Sequence, residues 1–170
     1  MSKLESIQET INSDFFAPER NILIENRPGV SMSIPIQADG VPYVSYKFDV
    51  DLSGYRGGLF PFFSQKDGVR RISDYILFAE RNNRIYGIMI ELKKGKTDSI
   101  EQLEASKCLA DYIIKTTFRV TKGTFDSRLR CITISEFHRI KKGTKEKPVQ
   151  YINDHAEFKG RTLKLKAFLV

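Results

Sequence analysis

Asp74, Glu91 and Lys93 are the side chains of this sequence whose types and spacing suit catalysis. Two runs rich in β-branched and aromatic residues, Val69–Glu80 and Arg84–Lys94, flank Asn82-Asn83, a pair that accepts the positive φ values of a two-residue hairpin turn. Opposed residues then run outward from the turn in pairs: Arg81 faces Arg84, Leu77 faces Ile88 and Asp74 faces Glu91. Facing side chains have Cβ atoms about 4.5–5.5 Å apart, where like charges repel unless something neutralises them. The two-residue period puts Lys93 on the face of Gly87, Met89 and Glu91, and turns Ile88, Ile90 and Leu92 to the other. Two carboxylates at that separation match a divalent cation such as Mg²⁺, which binds one or two carboxylates and leaves positions for water and a substrate phosphate. The neighbouring ammonium can hold a phosphate oxygen or a developing charge. The plainer alternative is Lys93 bridging two acids on a solvated sheet face.

The elements that must position these residues follow from periodicity. Leu4, Ile7, Ile11 and Phe15 recur at helical spacing, which predicts an amphipathic helix over 3–16, stopped by Pro18. Strands are expected at Ile22–Glu25, Val30–Ile36 and Tyr43–Val50. Residues 51–68 combine glycines with Tyr55, Phe60, Phe62 and Phe63, an aromatic loop that caps the core or stacks on bases. A helix is expected over Asp98–Thr117, with Asp98 or Ser99 as N-cap, then a strand at Leu129–Phe137 and a last one at Thr162–Val170. The order, helix, strands, helix, strands, predicts an α/β or α+β chain forming one domain over 1–170.

Arg71-Ile-Ser-Asp74-Tyr-Ile-Leu-Phe, then Ile88-Met-Ile-Glu91-Leu-Lys93-Lys-Gly, then Glu101-Gln102-Leu103 together resemble the PD-(D/E)XK nuclease superfamily. The matched pattern is an Asp on one strand, Glu-X-Lys on the next and a Gln near the start of the following helix. Ser73 stands where many members have proline. The resemblance is close over residues 70–115 and loose over the surrounding αβββαβ order. It implies a restriction-endonuclease-like mixed central sheet flanked by helices, and hydrolysis of phosphodiester bonds in nucleic acid, with DNA expected ahead of RNA. It further implies Mg²⁺ or Mn²⁺ held by Asp74, Glu91 and the Leu92 carbonyl, with Lys93 orienting the attacking water. Members often add an acid from the first helix, for which Glu9, or else Glu5, is the candidate; Gln102 would reach the site from its helix, and Lys107 is a weaker candidate. Homodimers are common in the family.

Charge fits such a substrate. The chain of 170 residues carries 28 basic and 21 acidic side chains, net +7. Residues 1–51 hold four basic against eight acidic groups, so the remainder carries +11. That field suits a phosphate backbone. Arg70, Arg71, Lys94, Lys96, Lys141 and Lys142, the last two in a basic loop over 139–147, are the candidate phosphate contacts. The alternative class is a non-catalytic nucleic-acid-binding or partner-binding module of the same fold.

Other chemistry finds little support. Gly95-Lys96-Thr97 lacks the earlier glycine of a phosphate-binding loop, His138 and His155 have no ligand-spaced partner, and no G-x-S-x-G pattern occurs. Cys108 and Cys131 are expected as buried free thiols. With no long apolar run and no signal-like start, a membrane span is not expected and the cytoplasm is the expected compartment.

Overall fold

The computed structural model describes residues 2–49, 63–64, 66–94, 100–124, 126–135 and 148–170. Ser2 starts the first helix, α1 (Lys3–Thr10): its Oγ accepts from the Glu5 amide at 3.1 Å while the Glu5 carboxylate accepts from the Ser2 amide at 2.6 Å. This capping box satisfies N–H groups that the first turn cannot. The helix ends earlier than its hydrophobic spacing predicts. Ile11 is extended, and Asn12 caps a separate 3-10 turn, Ser13–Phe15, so Phe15 reaches the core from that turn.

Two sheets follow. Strands β1 (Ile22–Arg27) and β2 (Val30–Gln37) pair antiparallel. Strands β3 (Tyr43–Tyr46), β4 (Tyr75–Arg81) and β5 (Arg84–Lys93) also pair antiparallel in sequence. Helix α2 (Ile100–Thr121) then carries the chain across to β6 (Asp126–Ser135), parallel to β5, and β7 (His155–Phe158) adds beyond it, again parallel. The larger sheet therefore runs β3-β4-β5-β6-β7 and is mixed. The chain closes with β8 (Leu163–Lys164), parallel to β2, and a single-turn helix α3 (Leu165–Phe168).

The β4–β5 hairpin has the expected register: Arg81 pairs with Arg84, Leu77 with Ile88 and Tyr75 with Ile90. Its turn residues Asn82 and Asn83 have φ of 52° and 63°, the left-handed values that a turn matching the strand twist requires. Lys3 Nζ donates to both Asn83 O and Oδ1 at 2.5 Å, tying α1 to the turn.

One core layer lies between the two sheets, built from Leu23, Met32, Ile34 and Ile36 against Leu77, Ile88, Ile90 and Leu92, with Leu163, Leu165 and Phe168. The other lies beneath α1 and α2, where Leu4, Ile7, Leu103, Ala110 and Ile113 meet Ile76, Phe78, Ile85 and Met89. Helices α1 and α2 thus cover one face of the larger sheet, while the smaller sheet and the short α3 cover the other. Strand β5 is buried on both faces, with Ile85, Ile88, Met89, Ile90 and Leu92 fully enclosed. At about 1.5–3 kcal/mol for each large apolar side chain, this anchors the strand that carries Glu91 and Lys93. Gly87 in its middle admits a close neighbour: a Cβ there would stand 2.7 Å from Leu129 Cδ2.

Several expectations are corrected. The third strand stops at Tyr46 instead of Val50, and β4 begins at Tyr75 because residues 67–70 form a turn. The Thr162–Val170 alternation gives only the two-residue β8. Burial of Leu165 together with Phe168 at helical spacing outweighs the strand pattern and winds α3. Strand β7 was not anticipated, and α2 runs on to Thr121. Cys131 is buried, but Cys108 is exposed on α2. Most of the aromatic loop, the Asp98 and Ser99 cap positions and His138 lie outside the described residues. Among the described residues, no helix is long and apolar enough to cross a membrane.

Candidate metal centre

The hairpin places Asp74 just before β4 and Glu91, Leu92 and Lys93 at the end of β5, at the far end from the Asn82-Asn83 turn. The two acids clasp each other's strand. The Leu92 amide donates to Asp74 Oδ2 at 2.6 Å, and the Asp74 amide donates to Glu91 Oε2 at 3.3 Å. In an extended strand the N–H and C=O of one residue face the same flank, so the Leu92 carbonyl is also turned toward the Asp74 side. Lys93 Nζ stands 3.6 Å from Glu91 Oε1. Asp74, Glu91 and Lys93 are 6%, 2% and 6% exposed, which excludes the solvated-face alternative.

Helix α2 fixes the approach to Asp74. Ser106, fully buried on that helix, accepts from the Ser73 amide at 2.7 Å and lies 2.8 Å from the Ser73 hydroxyl, which donates to it. Gln102 is half-buried four residues earlier, on the same helix face and one turn nearer the start of α2. Ser73 is thus tied to the helix by hydrogen bonds.

Three residues that the sequence reading passed over complete the surroundings. Glu25 of β1, Asp49 and Asp74 each place a carboxylate oxygen within 4.8 Å of the others. Lys47 Nζ lies 3.5 Å from Asp49 Oδ1 and 3.7 Å from Glu25 Oε2, and Arg27 stands 3.7 Å from Glu25 at the rim. A signal for Glu25 existed: it continues the inward face that Leu23 begins, so the period of two already buried it. Lys47 and Asp49 continue the face of Tyr43 and Ser45.

Electrostatics show the strain of this arrangement. Burial first, and the Glu91 charge second, push the Asp74 carboxyl up to about 7. Burial raises Glu91 as well, against the lowering effect of Lys93, and raises Asp49 against that of Lys47. For Lys47, burial works against the charged form, but Asp49, Tyr75, Glu25 and Asp74 outweigh it and leave the ammonium raised. Asp74, Glu91, Glu25 and Asp49 face Lys47, Lys93 and, at the rim, Arg27, so with all four acids ionised the cluster carries one excess negative charge. Hard oxygen donors with excess negative charge fit Mg²⁺ or Mn²⁺.

Glu9 is exposed on α1, and the Glu5 carboxylate is committed to the helix cap. The additional acids beside Asp74 come from β1 and from the segment after β3. Lys107 pairs with Asp154 at 3.2 Å, where Arg130 also binds. Arg71 bridges Asp67 and Glu101, stapling the turn before Asp74 to the first turn of α2, and Arg70 donates to the Phe63 carbonyl. Both arginines therefore have structural partners. Lys94 is exposed, while Lys96, Lys141 and Lys142 lie outside the described residues. His155 is hydrogen-bonded to Thr133 Oγ1 at 2.9 Å. Comparison with protein-family models, curated proteins and solved structures yields no match for this chain.

Proposed function

We propose that this chain is a metal-dependent nuclease of the PD-(D/E)XK type, with a restriction-endonuclease-like core formed by α1, β3, β4, β5, α2 and β6. One observation carries the reading: Asp74 and Glu91 are buried together at the end of the β4–β5 hairpin, with Lys93 ion-paired to Glu91 and the Leu92 backbone turned to Asp74. A stability role alone does not account for it, because burying two acids side by side costs free energy that the single Lys93 ammonium offsets only in part, leaving both carboxyls raised.

Asp74, Glu91 and the Leu92 carbonyl would hold Mg²⁺ or Mn²⁺, which when bound polarises a phosphate and lowers the pKa of a coordinated water. Lys93, held against Glu91, orients the attacking water and offsets charge that develops on the phosphate oxygens as the P–O bond to the leaving group breaks. Ser106 and Ser73 keep the Asp74 backbone in place. The net positive charge of the chain favours a polyanionic substrate, and DNA in a homodimeric complex is the expected form, since cutting both strands of a duplex takes two such sites.

The test is cleavage of plasmid and branched DNA, with single-stranded RNA alongside, in Mg²⁺, Mn²⁺ or EDTA. Metal-dependent cutting by the native chain and a loss of about 100-fold or more in Lys93→Ala are expected, as for removal of a group that stabilises transition-state charge. Salt-sensitive DNA binding without any cutting would replace this reading by the non-catalytic binding module.

A further inference from the structure

Beyond the Asp74–Glu91 pair lies a second set of oxygens. Glu25 comes from the smaller sheet, Asp49 from the segment after β3, and with Asp74 they present carboxylate oxygens within 4.8 Å of one another. Oxygens so spaced are what a second divalent ion would use beside the first, in the arrangement that clamps both attacking and leaving oxygens of a phosphodiester.

A cationic group of the chain is already there. Lys47 Nζ stands 3.5 Å from Asp49 and 3.7 Å from Glu25, and 4.9 Å from the centre of the Tyr75 ring. Its side chain is only 19% exposed. The surroundings hold this geometry from two directions. The Tyr75 hydroxyl donates to the Ile24 carbonyl and accepts from the Ile24 amide, both at 2.8 Å, which locks β1, and Glu25 with it, against β4. The Tyr75 ring at the same time offers its face to the ammonium. A tethered ammonium is present in every molecule, whereas a hydrated Mg²⁺ must be taken from solution and partly stripped of water.

We propose that Lys47 supplies the second cation of the site, occupying the place between Glu25 and Asp49 and leaving room for a single divalent ion, at Asp74, Glu91 and Leu92. The inference rests on the metal reading above. Lys47 is on this account a positioning residue: it holds Glu25 and Asp49 together without itself touching substrate, and its charge makes the site complete with one ion.

The experiment counts bound Mn²⁺ by calorimetry and electron paramagnetic resonance on the full, EDTA-stripped chain. The native protein is expected to take up one Mn²⁺ and Lys47→Met a second. Lys47→Arg, which keeps the charge, stays at one, and adding Glu25→Gln to Lys47→Met removes the second. Asp74→Asn loses the first ion. Two ions in the native protein, or one in folded Lys47→Met, overturn the assignment of Lys47 while leaving the metal site intact. No uptake by the native protein overturns both readings. Should Lys47→Met not fold, the ¹⁵N resonance of the native Lys47 ammonium decides: it is expected to stay protected after one equivalent of Mg²⁺, and its release to solvent exchange on that addition would refute the proposal.

Discussion

Replacing Asp74 by Asn should stabilise the metal-free protein at alkaline pH. The carboxyl rises from 3.8 in the unfolded chain to about 7 in the fold, through burial first and the Glu91 charge second. For an acid shifted upward, the folded state holds the proton more tightly. Stability is therefore full below pH 3.8, falls as pH rises between 3.8 and about 7, and stays reduced above. About three units at about 1.4 kcal/mol each bound the cost at about 4 kcal/mol. Glu91 shares that cost, and the Asn side chain keeps an acceptor for the Leu92 amide, so the expected net gain is about 1–3 kcal/mol at pH 8, shrinking to about zero at pH 4. Urea unfolding in EDTA at pH 8, 6 and 4 measures it directly. Saturating Mn²⁺ should reverse the order, since a ligand that binds only the folded state stabilises the native protein and not the variant. If Asp74→Asn destabilises the stripped protein equally at every pH, the carboxyl is not strained and the electrostatic argument for a cation fails.

Other outcomes follow from neighbouring contacts. Ser106→Ala leaves the buried Ser73 amide without its acceptor, which should cost about 1–3 kcal/mol in urea unfolding and weaken Mn²⁺ binding about tenfold, with Ser106→Thr restoring both in part. Tyr75→Phe removes both hydrogen bonds to Ile24, so hydrogen exchange at the Ile24 amide should accelerate while the β4–β5 amides keep their protection, at a cost of about 1–2 kcal/mol.

What could be read from the sequence was local. Asn82-Asn83 fixes the hairpin register by turn chemistry, and that register alone brings Asp74 opposite Glu91. The helix after β5 and the side-chain alternation that gathers Glu91 with Lys93 are equally short-range. The alternation of β1 already buried Glu25, but its meeting with Lys47 and Asp74 was out of reach for a different reason: it depends on the smaller sheet packing through Leu23 and Ile34 on Leu77 and Ile90, contacts between segments far apart in sequence. The end of the chain was misread because its alternating leucines fit a strand until Phe168 has to be buried as well. Asn12 shortened α1 by offering its side chain to the backbone of the next turn, a competition that hydrophobic spacing does not register.

The Asn82-Asn83 turn offers a practical handle. It is exposed, and it lies eight residues along the strand from Asp74, about 26 Å at roughly 3.3 Å per residue. A fluorophore, affinity peptide or surface tether grafted there would ride on the same rigid ribbon that ends in the carboxylates, yet remain beyond the reach of a metal ion bound to them. Immobilised by that tip, the molecule would turn the carboxylate end of the hairpin away from the support, toward whatever polymer is offered to it.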